Sequence, residues 1–485
     1  MGSSTVITDF LPEHSSQAGT RIEFPQGFLW GVSTAAHQVE GGNGNNQWAA
    51  WEAAGKIRSG EVSGVACDWW NNAERDFDLA RDMGLNALRL SLEWSRIEPA
   101  PGEWDQQALL RYRKMLEGLS SRGIQPIVSL HHFTHPKWFE QEGAFLSNRA
   151  GERFERFAGQ VVSQLGDLCR HWVTFNEPNV FAALGYVLGE FPPGQTGNMR
   201  TALRMIDSMA ICHARAYRAI HAVQADAKVG WAQNYVVFAP ARRNLFLDRL
   251  SASLLNRLFN ESFLAAIEKG KSAIPGNLGS KRLREAKHCC DFIGVNVYSR
   301  FHVAFSLRHA SQLFSNVYVP EDVPQGDRGV EKPYGEAYPG AVSAAVERCA
   351  RLGKPIYILE NGVPDAKDRI RPWLIVNVIR ELHRLIGEGK DVRGYFHWTL
   401  TDNFEWSEGW GLRFGLFELD ASTQQRTMRP SGRLYGAIAQ ANGLPDQISS
   451  VFPDPTFSAF GEASPTCAVP LIEPKISATL VPSKE

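Results

Sequence analysis

Short apolar runs rich in β-branched and aromatic residues alternate with helix-like segments along most of the chain. Such runs, bounded by turn residues, are typical of buried strands, and apolar positions every three or four residues are typical of amphipathic helices. The pattern predicts strands at residues 28–33 (continuing to 38), 86–94, 126–133, 171–177, 228–234, 292–298, 355–360 and 392–399. It predicts helices near residues 68–83, 105–122, 152–166, 201–225, 246–268, 341–352, 373–388 and 432–441.

Eight strands that alternate with helices indicate a parallel sheet. In a chain of 485 residues they favour a single (β/α)8 TIM barrel with loop insertions, and a doubly wound sheet is the alternative. No change of composition divides the chain. We predict a flexible leader over residues 1–22, the barrel over 23–443, and a largely irregular, Pro- and Ser-rich extension over 444–485. The polar stretch from Arg300 to Pro339 is predicted to be an inserted loop.

Two predicted strands end in an acid. Glu177 closes one apolar run before Pro178, and Glu360 closes another before an Asn-Gly turn signal. A single strand-end acid is usually a solvated surface group, but the active sites of (β/α)8 barrels lie at the C-terminal ends of the strands. Other hydrogen-bonding or aromatic residues at or beyond these ends are expected to join the two acids: Gln38, His132, Asn176, Asn296, Tyr298, Trp398, Glu405 and Trp406.

The charge and the cysteine content of the chain argue against nucleic-acid binding, membrane binding and zinc binding. With 51 basic and 52 acidic residues, the chain shows no charge bias towards nucleic acid or an anionic membrane. Its seven cysteines include no CxxC pair, which argues against a zinc site. Residues 1–20 lack the apolar core of a signal peptide, and no apolar run is long enough to span a bilayer. We expect a cytoplasmic protein with no cofactor, and leave homo-oligomerisation open.

Two strand-end acids without a metal motif suggest acid/base and nucleophilic chemistry on an acetal. Glycoside hydrolysis needs one protonated carboxyl group to assist the leaving oxygen, and a second, ionised group to attack the sugar or activate water. Arg89, within an otherwise apolar strand, could keep one acid ionised by direct attraction; a position at the barrel rim is the alternative. His131 and His132 are neighbours on a strand and point to opposite faces, so a metal site with His135 is not expected.

The chain resembles glycoside hydrolase family 1, the β-glucosidase family, from about Phe24 to Gly443. The matching motifs occur in order as FLWGVSTAAHQVEG (28–41), TFNEP (174–178), DFIGVNVY (291–298), LENG (359–362), DNFEW (402–406) and RFG (413–415). The resemblance implies a (β/α)8 barrel and a retaining exo-β-glycosidase that acts on a small-molecule β-glycoside or oligosaccharide.

By motif, Glu177 matches the general acid/base and Glu360 the nucleophile of this family, and Arg89 and Tyr298 match residues that orient the nucleophile. The remaining matches are sugar-binding positions: Gln38, His132, Asn176, Asn296, Trp398, Glu405, Trp406 and Phe414. Phe133 and Trp410 depart from the frequent Trp and Tyr of the family, which puts the shape of the subsites in doubt.

The sequence disfavours several alternatives to a β-glucosidase. A 6-phospho-β-glycosidase is disfavoured because Glu405 would repel a phosphate and Leu412 stands where a Lys is expected. A non-catalytic sugar-binding relative would have lost one of the two acids, and both are present. A thioglucosidase carries Gln in place of Glu177, and the glycine-rich stretch 41–46 lacks a dinucleotide fingerprint. The sequence leaves open the preferred sugar, which could be glucose, galactose or fucose, and the leaving group.

Overall fold

The computed structural model describes residues 21–273 and 281–451. At its centre, eight parallel strands close into a barrel. In chain order they are β1 (Leu29–Ser33), β2 (Ala87–Ser91), β3 (Gln125–His131), β4 (His171–Asn176), β5 (Lys228–Pro240), β6 (Ile293–Phe305), β7 (Ile356–Asn361) and β8 (Val392–His397). Each strand pairs with the next, and β8 pairs with β1. The predicted (β/α)8 architecture is confirmed.

Helices follow every strand and cover the barrel. The outer helices are Trp69–Asp82, Gln106–Ser120, Ala150–Leu165, Met199–Val223, Phe246–Phe259, Glu261–Lys269, Gly340–Ala350, Arg371–Gly387 and Pro430–Ala441. Shorter helices are Ala36–Val39, Gln47–Ala53, Trp94–Ile97, Lys137–Gln141, Pro178–Tyr186 and Asp446–Val451, with 3₁₀ turns at Ala144–Leu146, Lys281–Ala286, Leu307–Gln312 and Trp406–Glu408. Within the described residues, no helix combines the length and apolar character needed to cross a bilayer.

Small antiparallel pairings complete the secondary structure. Ile22–Glu23 pairs with Gly443–Leu444, which joins the two ends of the barrel chain. Ser315–Tyr318 and Glu336–Ala337 pair with the extended end of β6, and Phe417–Asp420 pairs with Gln425–Met428.

Two sequence predictions differ from the structure. The first strand ends at Ser33, and Gln38 lies in the helical turn Ala36–Val39, because the chain must turn inward over the barrel. The stretch predicted as a loop from Arg300 begins inside β6, because this strand pairs with β5 as far as Val303 and with Ser315–Tyr318 as far as Phe305. Of the predicted extension over 444–485, the structure describes residues 444–451, which hold the end of a paired strand and a helix. The largely irregular character of the extension stays a prediction, because its residues from 452, like leader residues 1–20, lie outside the described range.

The inside of the barrel is closed below the site by an apolar layer. Its buried residues are Ala87, Ile127, Val173, Ala232, Phe292, Tyr357, Leu359 and Phe396. Two glycines make room for the larger rings and chains, since a Cβ at Gly31 would lie 2.4 Å from Phe396 and one at Gly294 would lie 2.3 Å from Leu359. Polar side chains stand on this packed floor, at the C-terminal ends of the strands, which we call the barrel mouth.

Candidate active site

Glu360 lies one residue before the end of β7, and its side chain is only 4% exposed. Both carboxylate oxygens are contacted. Arg89 of β2 donates to Oε1, and the hydroxyl of Tyr298 in β6 donates to Oε2 over 2.6 Å. The acid therefore has a fixed cation and a fixed neutral donor, which both favour its ionised form.

Arg89 is itself fully buried and held by a planar set of hydrogen bonds. Its Nε donates to Ser129 Oγ over 2.9 Å, and its Nη2 donates to Asn176 Oδ1 over 2.7 Å. A guanidinium group fixed at three nitrogens has little freedom to leave its carboxylate. The rim position considered for Arg89 is therefore wrong, because its side chain lies inside the barrel mouth.

Glu177 follows β4 directly and adopts the left-handed conformation, with φ 46° and ψ 60°. A non-glycine residue in that region costs about 1–3 kcal/mol and persists only where the surroundings fix it. Here the backbone amide of Glu177 donates to the carbonyl of Ala232 over 2.8 Å, and Pro178 begins the next helix. The turn directs the carboxyl group to two side-chain amides: Asn234 and Asn296 donate to Oε1 over 2.9 and 2.8 Å.

The two acids differ in the charges around them. Burial, and then the negative charge of Glu360, raise the pKa of Glu177 to about 8. Burial also raises the pKa of Glu360, but there the positive charge of Arg89 and the hydrogen bond from Tyr298 act in the opposite direction. Near neutral pH the proton of the pair therefore resides on Glu177, and Glu360 carries the charge.

A polar layer connects the two acids across the barrel mouth. Asn176 accepts from Asn296 Nδ2 over 2.9 Å, and its own amide contacts His132 Nε2 at 2.9 Å. Burial and the neighbouring Arg89 hold the pKa of His132 well below its usual range, so the imidazole is neutral. Each of these side chains is fixed by a residue on another strand, so the layer is organised before any ligand binds.

The second side of the site combines polar and aromatic residues. Gln38 Nε2 donates to the carbonyl of Phe404 over 2.8 Å and to Glu405 Oε2 over 3.2 Å. Burial and the charge of Glu360 raise the pKa of Glu405 to about 8, opposed by hydrogen bonds from Trp398 and Gln38. The ring of Trp406 lies near His132, with 6.0 Å between centroids.

Several buried polar atoms of the site have no hydrogen-bond partner among the described residues. They are Gln38 Oε1, His132 Nδ1, Asn234 Oδ1 and Asn296 Oδ1. Buried polar atoms are paired in the great majority of cases, so a group of orphans around two acids is unusual. Such atoms can accept or donate hydrogen bonds to a ligand rich in hydroxyl groups, which matches the chemistry of a sugar.

Aromatic residues form the rim beside Glu360. Phe414 lies 6.1 Å from Tyr298 and 5.0 Å from Tyr334, measured between ring centroids and in edge-to-face geometry. Tyr334 also contacts Tyr298 at 5.9 Å. Burial is the largest cause that raises the pKa of Tyr334, followed by the negative charges of Glu405, Glu177 and Glu360. Tyr334 therefore lies close to the acids of the site.

The structure thus brings the residues singled out from the sequence to one barrel mouth. Asn234 and Tyr334 were not predicted as site residues. Asn234 ends a predicted strand, so its position could have indicated the site. Tyr334 lies in the long connection after β6, where no sequence pattern marks it. His131 points away from the site and contacts His135, with Nε2 and Nδ1 3.4 Å apart. The expectation that neighbouring histidines face opposite sides is confirmed.

A closed (β/α)8 barrel with two buried, differently paired carboxyl groups at its strand ends defines the class of the TIM-barrel glycoside hydrolases. Residues 20–444 match the family model described as "Glycosyl hydrolase family 1". The chain belongs to this family.

Similar proteins agree with the assignment. The chain is 31% identical to a beta-galactosidase from Sulfolobus acidocaldarius, with 88% of this chain and 97% of the relative covered. It is 29% identical to beta-glucosidase A from Thermotoga maritima, with 87% and 99% covered. Among solved structures, a beta-glycosidase from Pyrococcus horikoshii matches with a TM-score of 0.77 at 33% identity, covering 88% of this chain and 97% of that one.

Proposed function

We propose that the protein is a retaining exo-β-glycosidase that releases terminal β-linked sugars, with glucosides as main substrates and galactosides and fucosides tolerated. One observation carries the proposal: Glu360 is paired with Arg89 and Tyr298, whereas the carboxyl group of Glu177 is contacted by amides. Retaining hydrolysis requires this division into an ionised nucleophile and a protonated acid.

In the first step, Glu360 attacks the anomeric carbon while Glu177 gives its proton to the leaving oxygen. The bond to the leaving group breaks and an ester bond between the sugar and Glu360 forms. In the second step, Glu177 takes a proton from water, which attacks the same carbon and releases both the sugar and Glu360. The raised pKa of Glu177, about 8, supports its role as acid in the first step.

A shared neighbour of the two acids also supports retention. Asn296 donates to Glu177 over 2.8 Å, and it is among the groups that lower the pKa of Glu360. Two acids that share one side-chain amide are in keeping with a retaining enzyme, in which the carboxyl groups lie about 5–5.5 Å apart, rather than an inverting one at roughly 6.5–9.5 Å.

Sugar recognition is assigned to the groups around the acids. In this proposal Gln38 and Glu405 bind adjacent hydroxyl groups, and the rings of Trp398 and Trp406 pack against apolar faces of the sugar. Hydrogen bonds that strengthen as the ring distorts would lower the barrier rather than merely bind substrate. A 6-phospho-sugar is disfavoured, since the acidic residue Glu405 lies in this pocket and offers a phosphate no positive charge.

Two further features bear on the biological setting. A relative is named "1,4-beta-D-glucan glucohydrolase" from Thermotoga neapolitana, which supports short glucans from cellulose degradation as a substrate class. The six cysteines of the described residues are all buried and free. Unpaired cysteines are typical of a reducing compartment, which supports the cytoplasm as the place of action.

The deciding experiment removes the nucleophile and replaces it chemically. Glu360→Gly should lose the hydrolysis of an aryl β-glucoside, and added azide should restore release of the aryl group with formation of an α-glycosyl azide. Glu388→Gly, on the exposed end of an outer helix, serves as the control and should keep full activity. Wild-type turnover by Glu360→Gly, or a β-configured azide product, would refute the mechanism.

The acid is tested by varying the leaving group. Glu177→Ala should abolish turnover of alkyl glucosides, which need a proton on the leaving oxygen, and should slow glycosylation much less for dinitrophenyl glucoside. Equal losses for the two substrates would assign the acid role to another residue. The same assays on p-nitrophenyl glucoside, galactoside, fucoside and 6-phosphoglucoside would rank the sugars.

A further inference from the structure

An ion-pair cluster joins four connections around the barrel mouth. Arg58, in the connection after β1, contacts Glu190 at 3.0 Å, Glu331 at 3.5 Å, and Glu408. These acids belong to the connections after β4, β6 and β8. Lys332 adds a second contact to Glu190 at 2.5 Å. We call these five residues the Arg58 cluster.

The arginine of this cluster is largely buried. Its side chain is 15% exposed, and those of Glu190 and Glu408 are 16% and 14% exposed. Burial lowers the pKa of Arg58, but the charges of Glu190 and Glu408 outweigh it and raise that pKa. Ion pairs shielded from water in this way are screened less than exposed pairs and hold their partners more firmly.

The segment held most closely is the turn that leads to Tyr334. Arg328 and Pro333 form a bridge across this turn, and the amide of Gly329 donates to the carbonyl of Lys332 over 3.0 Å. Glu408 accepts a further hydrogen bond from the amide of Val330 over 2.8 Å. The turn is therefore anchored through both its backbone and its side chains.

Tyr334 follows this turn directly, and its side chain links the turn to the active site. Its ring packs against Tyr298 and Phe414, with centroids 5.9 and 5.0 Å away. Tyr298 in turn donates to Glu360. The Arg58 cluster is thus linked to the nucleophile through one turn and one aromatic contact.

We propose that Arg58 is a positioning residue that fixes the Tyr334 turn over the barrel mouth and thereby limits the size of the leaving group. The inference rests on the proposed glycosidase function and deepens it. Tyr334 packs against Tyr298, which contacts Glu360, so the proposal takes the leaving group to pass Tyr334 on its way out of the site. Releasing the turn widens this path without changing either acid.

The test compares two substrates that share glucose but differ in the leaving group. For Arg58→Met, the ratio of kcat/KM for a bulky aryl glucoside to that for p-nitrophenyl glucoside should rise about 3- to 10-fold. The change should fall mainly on KM of the bulky substrate, and Arg58→Lys should restore part of the wild-type ratio. Arg113→Met, which removes a surface arginine paired with Asp167, is the matched control and should leave the ratio unchanged.

A double-mutant cycle tests whether Arg58 acts through Tyr334. Tyr334→Ala alone should raise the same ratio, and adding Arg58→Met to it should have no further effect, because the two residues act through one turn. Additive effects would show that Arg58 does not act through Tyr334. Tyr334→Phe keeps the ring and should leave the ratio between the two substrates unchanged.

Because the Arg58 cluster is largely shielded from water, salt should weaken it little, and the wild-type ratio should stay the same at about 1 M NaCl. An unchanged ratio in Arg58→Met, in an enzyme that still hydrolyses aryl glucosides, would overturn the positioning role alone. Failure of azide rescue in Glu360→Gly would instead overturn the proposed function itself.

Discussion

Tyr298 and Glu360 stand on neighbouring barrel strands and share a 2.6 Å hydrogen bond, in which the phenol donates to the carboxylate. A donor of this kind favours the charged form of the acid and lowers its pKa. Burial acts in the opposite direction and raises the pKa of Glu360 above its ordinary value. The hydroxyl group is therefore one of the groups that keep the nucleophile ionised.

Tyr298→Phe removes only this donor, because the ring and its contacts remain. The pKa of Glu360 should rise further, because a hydrogen bond that lowers it is lost. Ionised Glu360 is required for attack, so the acidic limb of the kcat/KM profile should move to higher pH. Tyr334→Phe, which loses a hydroxyl group that does not donate to either acid, is the control; an unshifted acidic limb in Tyr298→Phe would count against the assignment.

The alkaline limb of the same profile should report the acid. Glu177 must hold its proton in the first step, so kcat/KM should fall as pH rises through about 8, the pKa of Glu177. Asn234 donates to its carboxyl group and lowers that pKa. Asn234→Ala should therefore move the alkaline limb to higher pH.

Glu405, with a pKa raised to about 8, could produce the same limb, and the two carboxyl groups titrate as a coupled set. The variant Glu405→Gln shows which of the two carboxyl groups, Glu177 or Glu405, produces the alkaline limb. If the limb persists in Glu405→Gln and moves in Asn234→Ala, it belongs to Glu177. If it disappears in Glu405→Gln, the assignment to Glu177 is wrong.

The raised pKa of Glu177 also predicts a stability effect. In the unfolded chain an ordinary glutamate ionises near pH 4.5, whereas the folded protein holds the proton up to about pH 8. Below pH 4.5 the group is protonated in both states and costs nothing. As pH rises from there to about 8, the unfolded state alone gives up its proton, so the free energy of unfolding falls.

Glu177→Gln removes this titration and keeps an oxygen that can accept from Asn234 and Asn296. The variant should be more stable than the wild type at pH 8, by up to about 4 kcal/mol, and the two should converge below pH 4.5. Chemical denaturation at several pH values measures the difference. A constant difference at every pH would mean that the carboxyl group is not the cause.

Much of the fold and part of the site could be predicted from the sequence, because the patterns that indicate them lie in residues that are neighbours along the chain. An acid at the end of a buried strand, as in Glu177 and Glu360, can be read from a few neighbouring residues, and parallel strands end on the same side. Other features depend on distant parts of the chain. The turn that places Gln38, the contact of Asn234 with Glu177, and the position of Tyr334 require the packing of separate connections, which no local pattern encodes.

The buried pair of Arg89 and Glu360 gives the last prediction. Their side chains are 0% and 4% exposed, so removing one partner leaves the other charge without compensation. Arg89→Met should lower the free energy of unfolding by about 3–5 kcal/mol at pH 8. At low pH, Glu360 can take up a proton, and the loss should shrink.

Adding Glu360→Gln to Arg89→Met removes the stranded charge, and stability should recover at pH 8 although activity should not. Denaturation of the single and double variants checks the coupling, and Arg393→Met, which breaks an exposed pair with Asp391, serves as the control because surface pairs contribute at most about 1 kcal/mol. If the double variant is no more stable than Arg89→Met, the destabilisation comes from the lost bonds to Ser129 and Asn176 rather than from the unpaired carboxylate. In that case Arg89 organises the polar layer more than it balances the charge of the nucleophile.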